Sequence, residues 1–203
     1  MISHWDDVDA VHRGSGHISG HWQALTGEAS EWVGVKRIRI DPERWSTPLH
    51  LEGSEEEIFF VLDGSGVSVQ SDGSAEAAYP VGGGDCLVHL ALAHAHTLRA
   101  GPDGLDVLAF GERHYAANTL LPRAGVSWLG PTWVLEGKVE DHPWTREIAA
   151  GPPKFDELSE RPRRIVNVAD VEPTVREGET VARTARDLGR AAGSYKTGMN
   201  CWI

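Results

Sequence analysis

From residue 31 onward the apolar positions come in short runs cut by turn residues. Residues 32–40 (WVGVKRIRI) set β-branched side chains against Lys36, Arg37 and Arg39, which predicts a strand. Asp41-Pro42 ends it. Residues 57–62 (EIFFVL) form an apolar run of strand length. Asp63-Gly64-Ser65-Gly66 then predicts a hairpin turn into a strand at 67–70, and Ser71-Asp72-Gly73-Ser74 a second turn. Residues 85–90 are apolar again. Residues 97–99 lead into the turn signal Pro102-Asp103-Gly104, followed by a strand at 105–110 (LDVLAF). Strand–turn units at this spacing predict an all-β fold, a single sandwich or barrel over 31–111. Both faces of 57–62 are apolar, so that strand needs a barrel interior on one side and a covering strap on the other.

The flanks read differently. Residues 1–30 are polar and predict a mostly irregular arm with a turn of helix near 6–11. His4, His12, His17 and His21 fall there at spacings too irregular for a built metal site. Residues 112–164 carry Trp128, Trp133, Trp144 and several prolines without a clear period, which predicts an extended strap held by its aromatic side chains. A helix is expected at 181–188. Shifting the chain by 163 residues aligns Ile2 with Ile165, Asp7 with Asp170, Val8 with Val171, Arg13 with Arg176 and Leu25 with Leu188. Residues 165–203 thus read as the start of a second, incomplete repeat of 2–39. Its last strand, near 197–203, has no predicted sheet of its own. It should extend a sheet edge, either of its own barrel or of a second copy in a homodimer.

Composition narrows the classes. The 203 residues and 22.1 kDa suit one domain with appendages. A net charge of −11 argues against a nucleic-acid partner and leaves room for a cation. No apolar stretch approaches a membrane span, and the acidic N-terminus lacks a signal-peptide core. Cys86 and Cys201 are too few for a disulfide framework, so a cytoplasmic location is expected.

The chemistry gathers in two places. His50 and Glu52 are one residue apart, so on a strand both face the same way, and Glu57 opens the next strand. His89, His94 and His96 follow at the end of the 85–90 run. Imidazoles and carboxylates from separate strands can converge on one cation, and two His plus one carboxylate leave open coordination positions. The neighbouring Glu55 and Glu56 read as a solvated charge run, and His89 and His94 as rim or pocket residues.

These residues resemble the cupin superfamily. Its first motif runs Gly, five residues, His-x-His, three or four residues, Glu, six residues, Gly. His50, Glu57 and Gly64 fit it, with Glu52 in place of the second His. The second motif begins at Gly84, but Leu90 and Leu92 stand where Pro and Gly are usual, and His96 is taken as its His. With the repeat, the chain looks like the N-terminal half of a bicupin. The resemblance implies a cupin jelly-roll barrel holding one divalent transition metal (Fe, Mn, Ni or Zn) on His50, Glu57 and His96. Glu52 is then a fourth ligand or a general base. It also implies a small-molecule ligand: a chelating aromatic or carboxylate substrate of a dioxygenase-type enzyme, or the ligand of a non-catalytic binding module or degenerate fragment.

Overall fold

The computed structural model describes residues 4–27, 30–114, 116–129, 143–177 and 182–202. Fourteen strands are named among them. β1 (Val11–Ser15), β2 (Ile18–Ala24) and β3 (Val33–Ile40) lead in; β4 (Leu51–Glu52), β5 (Glu57–Ser71), β6 (Glu76–Gly82), β7 (Asp85–His89) and β8 (Ala95–Glu112) follow. β9 (Asn118–Leu121), β10 (Val126–Leu129) and helix α1 (Pro143–Ala149) come next. After them run β11 (Ile165–Asn167), β12 (Thr174–Glu177), β13 (Ala182–Asp187), helix α2 (Leu188–Ala191) and β14 (Asn200–Trp202). The main sheet runs β1-β2-β3-β8-β5-β7-β11, with β6 paired to β5. Smaller sheets, β10-β9-β4 and β12-β13-β14, complete the all-β architecture.

The turns expected at 63–66 and 102–104 lie inside β5 and β8, whereas 71–74 does turn the chain from β5 into β6. β5 and β8 stay paired from Glu57–Gly111 to Ser71–Ala95, with register shifts between Val61 and Asp63 and between Gly64 and Gly66. The glycines are there for close approach. A Cβ on Gly66 would stand 2.2 Å from the Arg99 carbonyl oxygen, and one on Gly64 2.3 Å from that of Gly104. These are bulges that bend a continuous ribbon.

Three further expectations change. The arm holds the β1–β2 hairpin, and its turn near residue 6 is a 3-10 turn at Trp5–Asp7. Residues 182–187 form strand β13, because pairing with β12 and β14 on its two sides outweighs a weak helical preference. The last strand does have a sheet of its own, β12-β13-β14. Notably, the 3-10 turn Val168–Asp170 sits 163 residues after Trp5–Asp7. The first residue of β12 likewise follows that of β1 by 163, and the last of β13 that of β2.

Phe59 and Val61 face a core shared with Ile38, Ile40, Leu98 and Val107. Ile58, on the other face of β5, packs with Cys86, Val88, Leu188 and Ala192. Among the described residues the outer cover comes from the C-terminal module (β11 to β14), while Trp144, Ile148 and Phe155 of 112–164 pack against a third cluster around Trp45 and Leu49. Trp133 lies outside the described residues. No helix among the described residues is long and apolar enough to cross a membrane.

Leu92, in the loop between β7 and β8, has φ of 59°. It occupies the left-handed region where glycine is favoured, and its N–H donates to the Glu52 carbonyl at 2.8 Å. The turn is kept without the residue that forms it most easily.

Two stability measurements follow. Leu92 is 70% exposed, so Leu92→Gly loses little packing and relieves about 1 kcal/mol of backbone strain; chemical denaturation should show a gain. Gly66→Ala should lower stability by roughly 2–3 kcal/mol, since the methyl group meets backbone rather than a side chain that can move.

Candidate metal centre

His50 precedes β4 and is bridged to His96, near the start of β8, by a reciprocal pair of backbone hydrogen bonds: His96 N–H to the His50 carbonyl at 2.8 Å, and the reverse at 3.2 Å. Their imidazoles lie 4.6 Å apart, centroid to centroid. Glu57, the first residue of β5, points between them. Its Oε2 lies 2.9 Å from His96 Nε2 and 3.6 Å from His50 Nε2. The donor atoms of His50, Glu57 and His96 all lie within 4.8 Å of one another, a grouping that could hold a metal ion.

The surrounding contacts orient these groups. His50 Nδ1 lies 2.8 Å from the Pro48 carbonyl, which requires a proton on Nδ1, so the neutral ring presents the Nε2 lone pair inward. Glu52 flanks the group, with Oε1 3.6 Å from His50 Nε2, and its Oε2 accepts a hydrogen bond from the Thr119 hydroxyl at 3.0 Å. His94 is exposed while His96 is buried, which separates the two histidines that the sequence left adjacent. His89, buried at the end of β7, stacks flat on His96 at 3.8 Å and backs the site.

Charge is divided unevenly among these side chains. Burial disfavours a cation at His50, but the hydrogen bond and charge of Glu57, with the charge of Glu52, outweigh it and raise His50 to about 9. Burial works against the Glu57 anion too, yet the two imidazoles hold it well below the usual carboxylate range. His96 and His89 are lowered by burial and by neighbouring imidazoles. Glu52 is raised, first by burial and then by the Glu57 charge. Glu55 is pushed up to about 8 by burial and by Glu52 and Glu57.

The group opens on a cavity of about 240 Å³ lined by Trp22, Lys36, Ile38, Thr47, Phe59, Ala109, Thr119, Leu121 and Trp144, among others. Lys36 is the sole Lys or Arg in that lining among the described residues. It is an exposed residue of β3, in phase along the strand with the buried Ile38 and Ile40. The period-2 phase of that strand was the signal for it, masked by the flanking Arg37 and Arg39. The second unforeseen residue is Glu56. It is 1% exposed and not solvated, and nothing in a run of three glutamates marks it out.

Known structures share this architecture. A candidate sugar phosphate isomerase from Acidithiobacillus ferrooxidans superposes with a TM-score of 0.54 at 22% identity, over 66% of this chain and 90% of its own. A sugar phosphate isomerase from a cupin superfamily, from Silicibacter pomeroyi, gives 0.50 at 18%, over 59% and 80%. A variant of Bacillus subtilis oxalate decarboxylase gives 0.52 at 16%, over 92% of this chain and 52% of that one. No family model matches the sequence, and no curated protein does. The bent β5–β8 ribbon, the sheets around it and these likenesses together identify the chain's fold as that of the cupin superfamily.

Proposed function

We propose that this protein is a metal-dependent cupin enzyme acting on a small chelating substrate, with His50, Glu57 and His96 as the ligands of one divalent transition ion. The observation that carries this reading is the approach of both Nε2 atoms to a single oxygen of the half-buried Glu57. Two imidazoles and a carboxylate suit Fe(II), Mn(II), Ni(II) or Zn(II) alike and leave coordination positions free. When bound, the ion supplies Lewis acidity toward an oxygen of the substrate.

The chain's own residues supply the rest. Glu52, raised by burial, sits beside His50 and exchanges a proton with the bound substrate. Lys36 provides a cation at the cavity wall for an anionic group, which fits a carboxylate-bearing substrate. Trp22, Phe59, Leu121 and Trp144 exclude water and give an aromatic or aliphatic body its apolar surface. A sugar phosphate isomerase and an oxalate decarboxylase share the fold, and proton transfer on a small chelating substrate is the chemistry proposed for this chain. The two-His, one-carboxylate set favours a second reading, dioxygenase chemistry, which oxygen uptake during turnover distinguishes.

Protein purified without added metal should contain close to one equivalent of a divalent transition ion by elemental analysis. His50→Ala and His96→Ala should lose it while remaining folded. Unchanged content in both variants overturns the assignment, and an empty wild-type site at micromolar metal favours a non-catalytic binding module.

Proton release gives an independent check. In the metal-free protein His50 carries a proton up to about pH 9, and a ligand nitrogen must lose it. Metal uptake at pH 7 should release about one proton, read as a dependence of calorimetric enthalpy on buffer. Affinity should climb about tenfold per pH unit toward pH 9 and then level off. For recognition of the anion, Lys36→Met should weaken binding of a small dicarboxylate about tenfold or more and leave metal content unchanged.

A further inference from the structure

We propose that the C-terminal module completes the metal site by clamping Glu56, which makes Glu56 a positioning residue for its neighbour Glu57. The inference rests on the reading of Glu57 as a metal ligand and adds what holds that ligand in place.

Consecutive residues of an extended chain point to opposite sides. Glu57 points inward to His50 and His96. Glu56 points outward and would be expected to meet water, yet it is 1% exposed. Residues 194–197 cover it. Its Oε1 accepts hydrogen bonds from the Ser194 hydroxyl at 2.6 Å, the Thr197 hydroxyl at 2.6 Å and the Thr197 N–H at 3.3 Å. Donors on Oε1 compensate part of the cost of burying the carboxylate, whose Oε2 is buried without a partner, and they fix its direction.

The clamp is itself anchored. Leu188 and Ala192 pack with Ile58, Cys86 and Val88 on the outer face of β5 and β7. Ser194 N–H donates to the Gly189 carbonyl at 2.8 Å, and Gly189 N–H to that of Met199 at 3.1 Å. Glu57, in contrast, is the first residue of its strand. On its C-terminal side the ladders with β7 and β8 hold it. On its N-terminal side there is the 53–56 loop, tied by Gly53 N–H to the Asn118 carbonyl and by Glu56 to the module. Removing the Glu56 tether frees the backbone next to the one carboxylate that both imidazoles share.

The test uses the full chain loaded with Co(II), whose visible ligand-field spectrum reports coordination geometry. Thr197→Val removes a hydroxyl from Glu56 at constant volume. It should weaken Co(II) binding about 10- to 100-fold and change the spectrum. Thr197→Ser, which keeps the hydroxyl, should restore both, and Glu56→Gln, which keeps an acceptor at Oε1, should stay close to wild type. A Thr197→Val protein with a lower melting temperature but wild-type affinity and spectrum overturns the proposal, because the clamp is then only structural. So does a Thr197→Ser protein as impaired as Thr197→Val. Should Thr197→Val fail to fold, Ser194→Ala is measured in its place, with the same expected direction and the same overturning result. Wild-type protein that takes up no Co(II) overturns the metal reading and this proposal together, an outcome distinct from binding that is indifferent to residue 197.

Discussion

Glu57 and Gln70 lie on the same strand, far enough apart to span roughly 43 Å if β5 were straight. Yet His96, which pairs opposite Gln70, has its ring nitrogen 2.9 Å from the Glu57 carboxylate. The two facts are compatible because the β5–β8 ribbon doubles back. Bulges at 61–66 in one strand and the bend at 101–104 in the other turn its two halves toward each other. Gly64 and Gly66 permit the crowding at that fold. The convergence of His96 and Glu57, the cavity between the sheets and the seat for His50 all depend on this bend.

Within the cavity, opposing tendencies are balanced by pairing. Four ionisable groups, Glu52, Glu57, His50 and His96, share a space from which water is largely excluded, and isolated charges there would be costly. The protein meets this by concentrating charge in one ion pair. His50 holds a proton and Glu57 lacks one, while His96 and His89 are kept neutral by burial. On the proposed reading, a divalent cation between these groups would do what the His50 proton does in its absence, with more charge and more directional partners. At the edge of the pocket Glu52 and Glu55 are shifted upward, chiefly by burial.

Much of this was legible along the chain. The strand–turn spacing gave an all-β fold, and the resemblance of the His50-to-Gly64 and Gly84-to-His96 stretches to the two cupin motifs pointed to the barrel and to the residues that meet. The recurring elements after residue 165 are visible as residue identities at a fixed offset. Glycine misled the reading, because Gly64 and Gly66 have the composition of a turn but serve close backbone contact, and only the three-dimensional path tells these apart. Glu56 was illegible for another reason. Its burial is conferred by residues 138 and 141 positions away, and no local period reports a contact of that range. Lys36 fell between these cases: its phase with Ile38 and Ile40 was present, but the adjacent arginines made the whole stretch look like a solvated edge.

The distance along the chain between Glu56 and its partners bears on how the protein is made. Synthesis runs from the N-terminus, and early segments can collapse before late ones exist. The strands through β8 leave the ribosome with the ribbon, its bend and the imidazoles already encoded, while Ser194 and Thr197 follow Glu56 by 138 and 141 residues. Until then Glu56 is a solvated carboxylate on a loop tied at one end, and the outer face of Ile58 and Val88 lacks Leu188 and Ala192. A nascent chain would therefore pass through a stage with a formed barrel and an unfinished site. That stage ends with a docking event of long sequence separation, the slow kind of contact in folding.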